Sequence, residues 1–98
     1  MKIYISGAIS SKPYMIAYSQ FLKVENMVVN MGHTPVNPMK NGLNKNDTWH
    51  EHMILDLILL SRCEAIIMLP GWKMSRGAKI EHEIAKNEKK QIIYLSKL

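Results

Sequence analysis

The segment EAIIMLPGWKMSRGAKIEHEIAK, residues 64–86, decides the fold. It begins with an almost unbroken apolar run, which is typical of a strand covered on both faces of its sheet. Pro70-Gly71 stops the run, a short polar loop follows, and apolar residues then recur at helical spacing from about Arg76 to Glu88. A buried strand followed by a loop and a helix belongs to a parallel β-α-β unit, so the segment predicts an α/β fold.

Two strand-helix pairs precede this segment. Residues 3–5, Ile-Tyr-Ile, predict a first strand, and apolar positions from Ala17 to Met31 predict a helix after it. Ser11 is a candidate N-cap for that helix, with Pro13 in its first turn. The apolar stripe predicts that one side of the helix packs on a sheet.

The second pair has its own boundary signals. Thr34-Pro35-Val36 predicts a short strand at the edge of the sheet, because Pro35 cannot donate to a strand ladder. Thr48 and Glu51 have the spacing of a capping box, which predicts a helix running to about Arg62. A last strand is expected at about residues 91–95.

This alternation predicts a single domain over residues 1–98 with three layers, a Rossmann-like or shortened flavodoxin-like fold. Its parallel four-stranded sheet would have the order 2-1-3-4, with helices on both faces. Ligands of such sheets lie at the carboxyl ends of the strands where the winding reverses, here between strands one and three. The loops SGAISSK (6–12) and PGWKMSRGA (70–78) would then form opposite walls of one crevice.

The composition limits the classes of ligand and partner that we expect for this protein. The net charge of +5 favours an anionic ligand, but the basic residues are scattered and no nucleic-acid recognition motif accompanies them. A small nucleoside or nucleotide therefore fits better than nucleic acid. The short chain can bury only a small core, which favours a homo-oligomer.

Several other classes lack their sequence signals. Cys63 is the single cysteine, so no internal disulfide forms. The first ten residues are too short and polar for a signal peptide, and no apolar run approaches the ~18 residues of a membrane span. We therefore predict a cytoplasmic protein without a membrane partner.

Both crevice loops combine serine and glycine before a helix, a geometry that binds phosphate through backbone N–H groups. The alternative is that these residues only form turns and helix caps. The candidate phosphate- or substrate-binding residues are Ser6, Gly7, Ser10, Ser11, Gly71, Trp72, Ser75, Arg76 and Gly77.

Two acidic residues stand out, and each has two interpretations. Asp56 lies within the apolar run MILDLILL, either as a boundary aspartate or as a carboxylate facing the crevice. Glu81 lies about one turn into the last helix, where the pattern alone favours a solvent-exposed side chain. His50 and His52 diverge on a helix and form no HExxH motif, so we predict neither a metal nor a cofactor.

Four segments resemble the DUF4406 family, which is small, often phage-encoded and related to nucleoside 2-deoxyribosyltransferases and deoxynucleoside 5′-monophosphate N-glycosidases. They are KIYISGAIS (2–10), GHTPVNP (32–38), HEHMILDLILLSRCEAIIMLPGW (50–72) and SRGAKIEHEIA (75–85). The resemblance implies that Tyr4, Asp56 and Glu81 form a reaction centre. Ser75 stands where the monophosphate hydrolases have serine, which implies a phosphate-bearing ligand.

The expected activity is N-glycosidic bond cleavage, or base transfer, on a 2′-deoxyribonucleoside or its 5′-monophosphate through the nucleophile Glu81. Because the chain is shorter than the transferases it resembles, a partner subunit would complete the pocket. One alternative is a non-catalytic protein that sequesters a nucleotide. Another follows from LPGW and SRGAKIE, which are faintly similar to a phosphoribohydrolase signature and imply a ribonucleoside monophosphate substrate.

Overall fold

The computed structural model describes all 98 residues and alternates between strands and helices. The strands are β1 (Lys2–Ser6), β2 (Thr34–Val36), β3 (Ala65–Met68) and β4 (Gln91–Tyr94), and the helices are α1 (Tyr14–Asn30), α2 (Trp49–Ser61) and α3 (Arg76–Asn87). Short 3-10 turns cover Pro38–Lys40 and Trp72–Met74. The predicted ends of all three helices and of β4 lie one residue beyond the observed ends.

The sheet has four parallel strands in the order β2-β1-β3-β4. This confirms the predicted 2-1-3-4 order and the flavodoxin-like α/β architecture. Both central strands are buried on both faces, whereas the proline-containing β2 lies at an edge as predicted. The carboxyl ends of β1 and β3 are neighbours, since Ser6 pairs with Met68.

Each face of the sheet has its own apolar cluster. Ile3 and Ile67 pack with Phe21, Val24 and other residues of α1 on one face. The other face carries α2 and α3, whose contributions to the core include Leu60, Ala78 and Ala85. The small Ala78 and Ala85 are fully covered, so α3 packs close to the sheet.

The structure confirms the predicted N-terminal cap of α2 and contradicts the predicted cap of α1. Thr48 and Glu51 form the predicted capping box, with each side chain accepting the other's backbone N–H. Ser11 is not the N-cap of α1, because residues 9–12 form a turn closed by Lys12 N and Ile9 O, and Pro13 occupies the cap position. The predicted end of the apolar side of α1 was also wrong, since Met31 lies beyond the helix and is 54% exposed.

Gly7 packs against the end of β3, and we predict that Gly7→Ala destabilises the protein. An added Cβ would lie 2.9 Å from Leu69 Cβ, and Leu69 directly follows β3 and is held there by the bond from its N–H to Ser6 O. Overpacking of this kind costs ~1–3 kcal/mol, which lowers the melting temperature by several degrees. Ser11→Ala is the control because Ser11 is exposed and caps no helix. Equal thermal unfolding of both variants would contradict the predicted clash.

Candidate functional site

A pocket of about 490 Å³ lies where the loop after β1 meets the start of α3. One wall is formed by Gly7, Ile9, Ser10 and Lys12, and another by Ser75, Gly77, Ala78 and Glu81. Residues of the loop before α2, and the inner face of α2 itself, complete the lining. The pocket therefore occupies the crevice predicted at the carboxyl ends of strands one and three.

Glu81 lies in this pocket lining and is buried, with 5% of its surface exposed. The Tyr4 hydroxyl donates to Glu81 Oε2 over 2.6 Å, and the Ser6 hydroxyl donates to Oε1 over 2.6 Å. Tyr4 and Ser6 alternate along β1, so both point to the face that carries α3. Both carboxyl oxygens are thus held by the central strand, contrary to the solvent-exposed side chain that the helical pattern favoured.

Burial sets the protonation of this cluster. It raises the pKa of Glu81 to about 7, against the opposing effect of the two hydroxyl hydrogen bonds. The negative charge of Asp56 raises it further. The pKa of Tyr4 is well above its usual value, chiefly through burial and then through Glu81, so Tyr4 stays neutral and serves as a donor.

Asp56 also lies in the pocket lining, and it belongs to the buried seam of α2 with Met53 and Leu60. Its Oδ1 accepts a hydrogen bond of 2.9 Å from Asn41 Nδ2. Burial raises the pKa of Asp56 to about 6, although the Asn41 bond and nearby His52 lower it. Both pocket carboxyl groups therefore titrate close to neutral pH, which is a feature of groups that exchange protons in catalysis.

Asn41 is a site residue that the sequence did not single out. Its Nδ2 lies 3.1 Å from His52 Nδ1 as well as near Asp56, and His52 Nε2 lies 2.9 Å from the Asn44 carbonyl oxygen. A carbonyl only accepts, so we assign the ring proton to Nε2 and the acceptor role to Nδ1. This chain of bonds fixes the loop before α2 against Asp56. Asparagine is common in turns, so the sequence of this loop does not by itself indicate these contacts.

Only some of the predicted phosphate- or substrate-binding residues line the pocket. Gly7, Ser10, Ser75 and Gly77 line the pocket. The Ser75 hydroxyl accepts from Ala78 N over 3.2 Å, so it also caps α3. Ser75 and Gly77 lie at the N-terminus of α3, where backbone N–H groups suit an anion.

The other predicted residues have different surroundings. Ser6 holds Glu81, and Ser11 lies outside the pocket lining. Arg76 stacks on the Trp49 ring at 4.3 Å, and Trp72 stacks on His82 at 4.2 Å. Gly71, Trp72 and Arg76 are therefore not part of the pocket wall.

Lys12 and Lys45 also line the pocket, and in the sequence they are two of the scattered basic residues. Lys12 Nζ donates to Gln20 Oε1 over 2.7 Å, and Lys45 Nζ lies 5.0 Å from the centre of the Tyr14 ring. They come from the loops before α1 and α2. Their side chains add positive charge to the pocket lining, in addition to the N-terminus of α3.

Comparison with known proteins places the chain in a family without naming a reaction. A family model described as "Domain of unknown function (DUF4406)" matches residues 1–94. The chain belongs to the DUF4406 family. No curated protein matches it. The match includes every residue of the pocket, and the chemistry of this DUF4406 member has to be argued from that pocket.

The structure contains neither a helix that could span a membrane nor a candidate metal site. No helix has the length and apolarity that crossing a membrane requires. No group of three or more His, Cys, Asp and Glu side chains is arranged to hold a metal ion.

We predict that Glu81→Gln becomes more stable relative to the native protein as the pH rises from about 5 to about 8. The folded pKa of Glu81 is about 7, above its ordinary value of 4.5, so its contribution to stability is full below the unfolded pKa and is lost as pH rises through the folded pKa. Glutamine does not titrate and escapes this loss. Denaturant unfolding across this pH range measures the difference.

Glu83→Gln is the matched control, because Glu83 is exposed on the same helix. Its stability difference from the native protein should not acquire the same pH dependence. A pH-independent difference for Glu81→Gln would contradict the raised pKa.

Proposed function

We propose that the chain cleaves the N-glycosidic bond of a 2′-deoxyribonucleoside 5′-monophosphate, with the Glu81 carboxylate as nucleophile. The observation that carries the proposal is the position of Glu81 in the pocket lining, with both oxygens fixed by Tyr4 and Ser6. Burying a carboxylate is costly, and a purely structural site would be served as well by an apolar residue. A fixed carboxylate beside a ligand-sized cavity supports covalent catalysis.

In the proposed first step a Glu81 oxygen attacks C1′ and the bond from C1′ to the base breaks. The departing base takes the proton of Asp56, which leaves a glycosyl ester on Glu81 and Asp56 as carboxylate. Water then attacks C1′, returns a proton to Asp56 and releases Glu81. A second base in place of water would give transfer instead of hydrolysis.

The two hydroxyl donors position the nucleophile. Tyr4 and Ser6 belong to the central strand β1, so they hold the carboxyl group on a rigid element. Their hydrogen bonds also favour the ionised form of Glu81, which is the form that attacks. Tyr4 and Ser6 are positioning residues in this mechanism.

The pocket suits the proposed substrate. Its volume of about 490 Å³ falls within the ~300–1,000 Å³ of common small-molecule sites. Tyr14 and Trp49 offer aromatic surface to a base, while Lys12 and Lys45 offer positive charge to a phosphate. Cys63 is a free, buried thiol, which suits a reducing compartment, so we propose a cytoplasmic location for this reaction.

The decisive test of this proposal is base release from deoxynucleosides, deoxynucleoside monophosphates and ribonucleoside monophosphates, followed by chromatography. We predict release from a deoxynucleoside monophosphate and a loss of more than about a thousandfold in Glu81→Gln, because the nucleophile is gone. Glu83→Gln, exposed on the same helix, should retain activity.

Other outcomes select other functions. Nucleotide binding by calorimetry without any base release would identify a sequestering protein. Release only from ribonucleoside monophosphates would identify a phosphoribohydrolase. An undiminished rate in Glu81→Gln would contradict the role given to that carboxylate.

We also predict a bell-shaped pH dependence of kcat/KM. Attack needs ionised Glu81 and protonated Asp56, and their pKa values are about 7 and about 6, so the rate should peak between those values. Asp56→Asn cannot donate a proton, which should remove the alkaline limb and slow cleavage by about 10²–10⁴-fold while substrate still binds. A variant that keeps the full bell would assign the acid to another group.

A further inference from the structure

Helix α2 is apolar on two opposite sides. Its inner side carries Met53 and Leu60, which are buried in the domain. Its outer side carries Ile54 and Ile58, which remain 63% and 45% exposed. A helix with apolar residues all round is normally covered all round, so the outer side lacks a partner within the chain.

The residues along the outer side of α2 are spaced symmetrically about the middle of the helix. Successive residues of a helix turn by about 100°, so Glu51, Leu55 and Ile58 follow one line along α2, and Arg62, the residue directly after the helix, continues that line. They are separated by four, three and four residues. We call these four residues the α2 stripe. Its centre is apolar and its ends carry opposite charges.

The charged side chains at the two ends of the α2 stripe have polar groups that no other residue of the chain contacts. Glu51 Oε1 accepts both donors of Thr48, and no donor within the chain contacts Oε2. The Arg62 guanidinium makes no ion pair within the chain, and its side chain is exposed at the end of the helix. Both groups face solvent on the side opposite the pocket.

We propose that the α2 stripe docks antiparallel against the same stripe of a second copy of this chain. A two-fold axis across the middle of the stripe places Glu51 against the partner's Arg62 and Leu55 against the partner's Ile58. The axis repeats each contact, because a two-fold interface brings the same surface patch of both copies together. The opposite charges at equal distances from the centre favour a second copy over an unrelated protein.

This arrangement leaves the pocket open. Trp49, His52 and Asp56 line the pocket, and they lie on the other side of α2 from the stripe. A stable interface commonly covers ~800 Å² per partner, more than one helical stripe provides, so we expect a dimer that dissociates on dilution. Flanking residues such as Ile54 widen the contact.

Sedimentation velocity of the full chain over a range of concentrations tests the proposal. The native protein should be a dimer that dissociates on dilution. Ile58→Glu should be monomeric, since it places a carboxylate at the apolar centre of both copies. Met15→Glu is the control, because Met15 is 66% exposed on α1, on the opposite face of the sheet, and its substitution should leave the dimer intact.

Charge reversal gives a sharper test. Arg62→Glu and Glu51→Arg should each raise the dissociation constant by at least about tenfold, because each creates two like-charge contacts per dimer. The combined variant restores opposite charges and should recover dimerisation. Circular dichroism checks folding, and if loss of the capping box unfolds Glu51→Arg, the pair Arg62→Glu and Ile58→Glu decides the outcome.

Two results would overturn the proposal. One is a native protein that stays monomeric at the highest soluble concentration. The other is a dimer that neither Ile58→Glu nor Arg62→Glu weakens, since that dimer would use another surface.

Discussion

The two hydroxyl hydrogen bonds to Glu81 are the interaction on which the site depends. They join α3 to β1, one of the two central strands, and they satisfy a carboxyl group that solvent barely reaches. Without them the buried group would lack partners, and its burial would cost several kcal/mol. With them, the start of α3 and the loop after β1 are held at the spacing that forms the pocket.

The two pocket carboxyl groups differ in their support. Glu81 has two hydroxyl donors, whereas Asp56 has one amide donor from Asn41. Burial nevertheless raises both pKa values, to about 7 and about 6. Neighbouring carboxyl groups that titrate near neutrality suit a reaction in which one group attacks and the other donates a proton.

Helix α2 links the site to the surface of the molecule. Its inner side presents Asp56 to the pocket, and its outer side presents the α2 stripe to solvent. A domain of this size buries few residues, so a helix with two apolar sides has limited cover within one chain. Docking of a second copy would cover the outer side and brace the helix that carries Asp56.

The sequence by itself determined the elements whose causes are local. The apolar run at β3, the proline that confines β2 to an edge and the capping box at Thr48 each act within a few residues. Ser11 shows the limit of such signals, because a turn closed by Lys12 and Ile9 displaced the expected cap.

Only the tertiary structure decided the environment of Glu81. Tyr4 and Ser6 are 77 and 75 residues away along the chain, and the Asn41 amide reaches Asp56 from the loop before α2. Helical periodicity shows which side of a helix is apolar, but it does not show which donors the opposing strand supplies. A glutamate with the pattern of a surface residue is therefore buried, and β1 supplies a hydroxyl donor to each of its carboxyl oxygens.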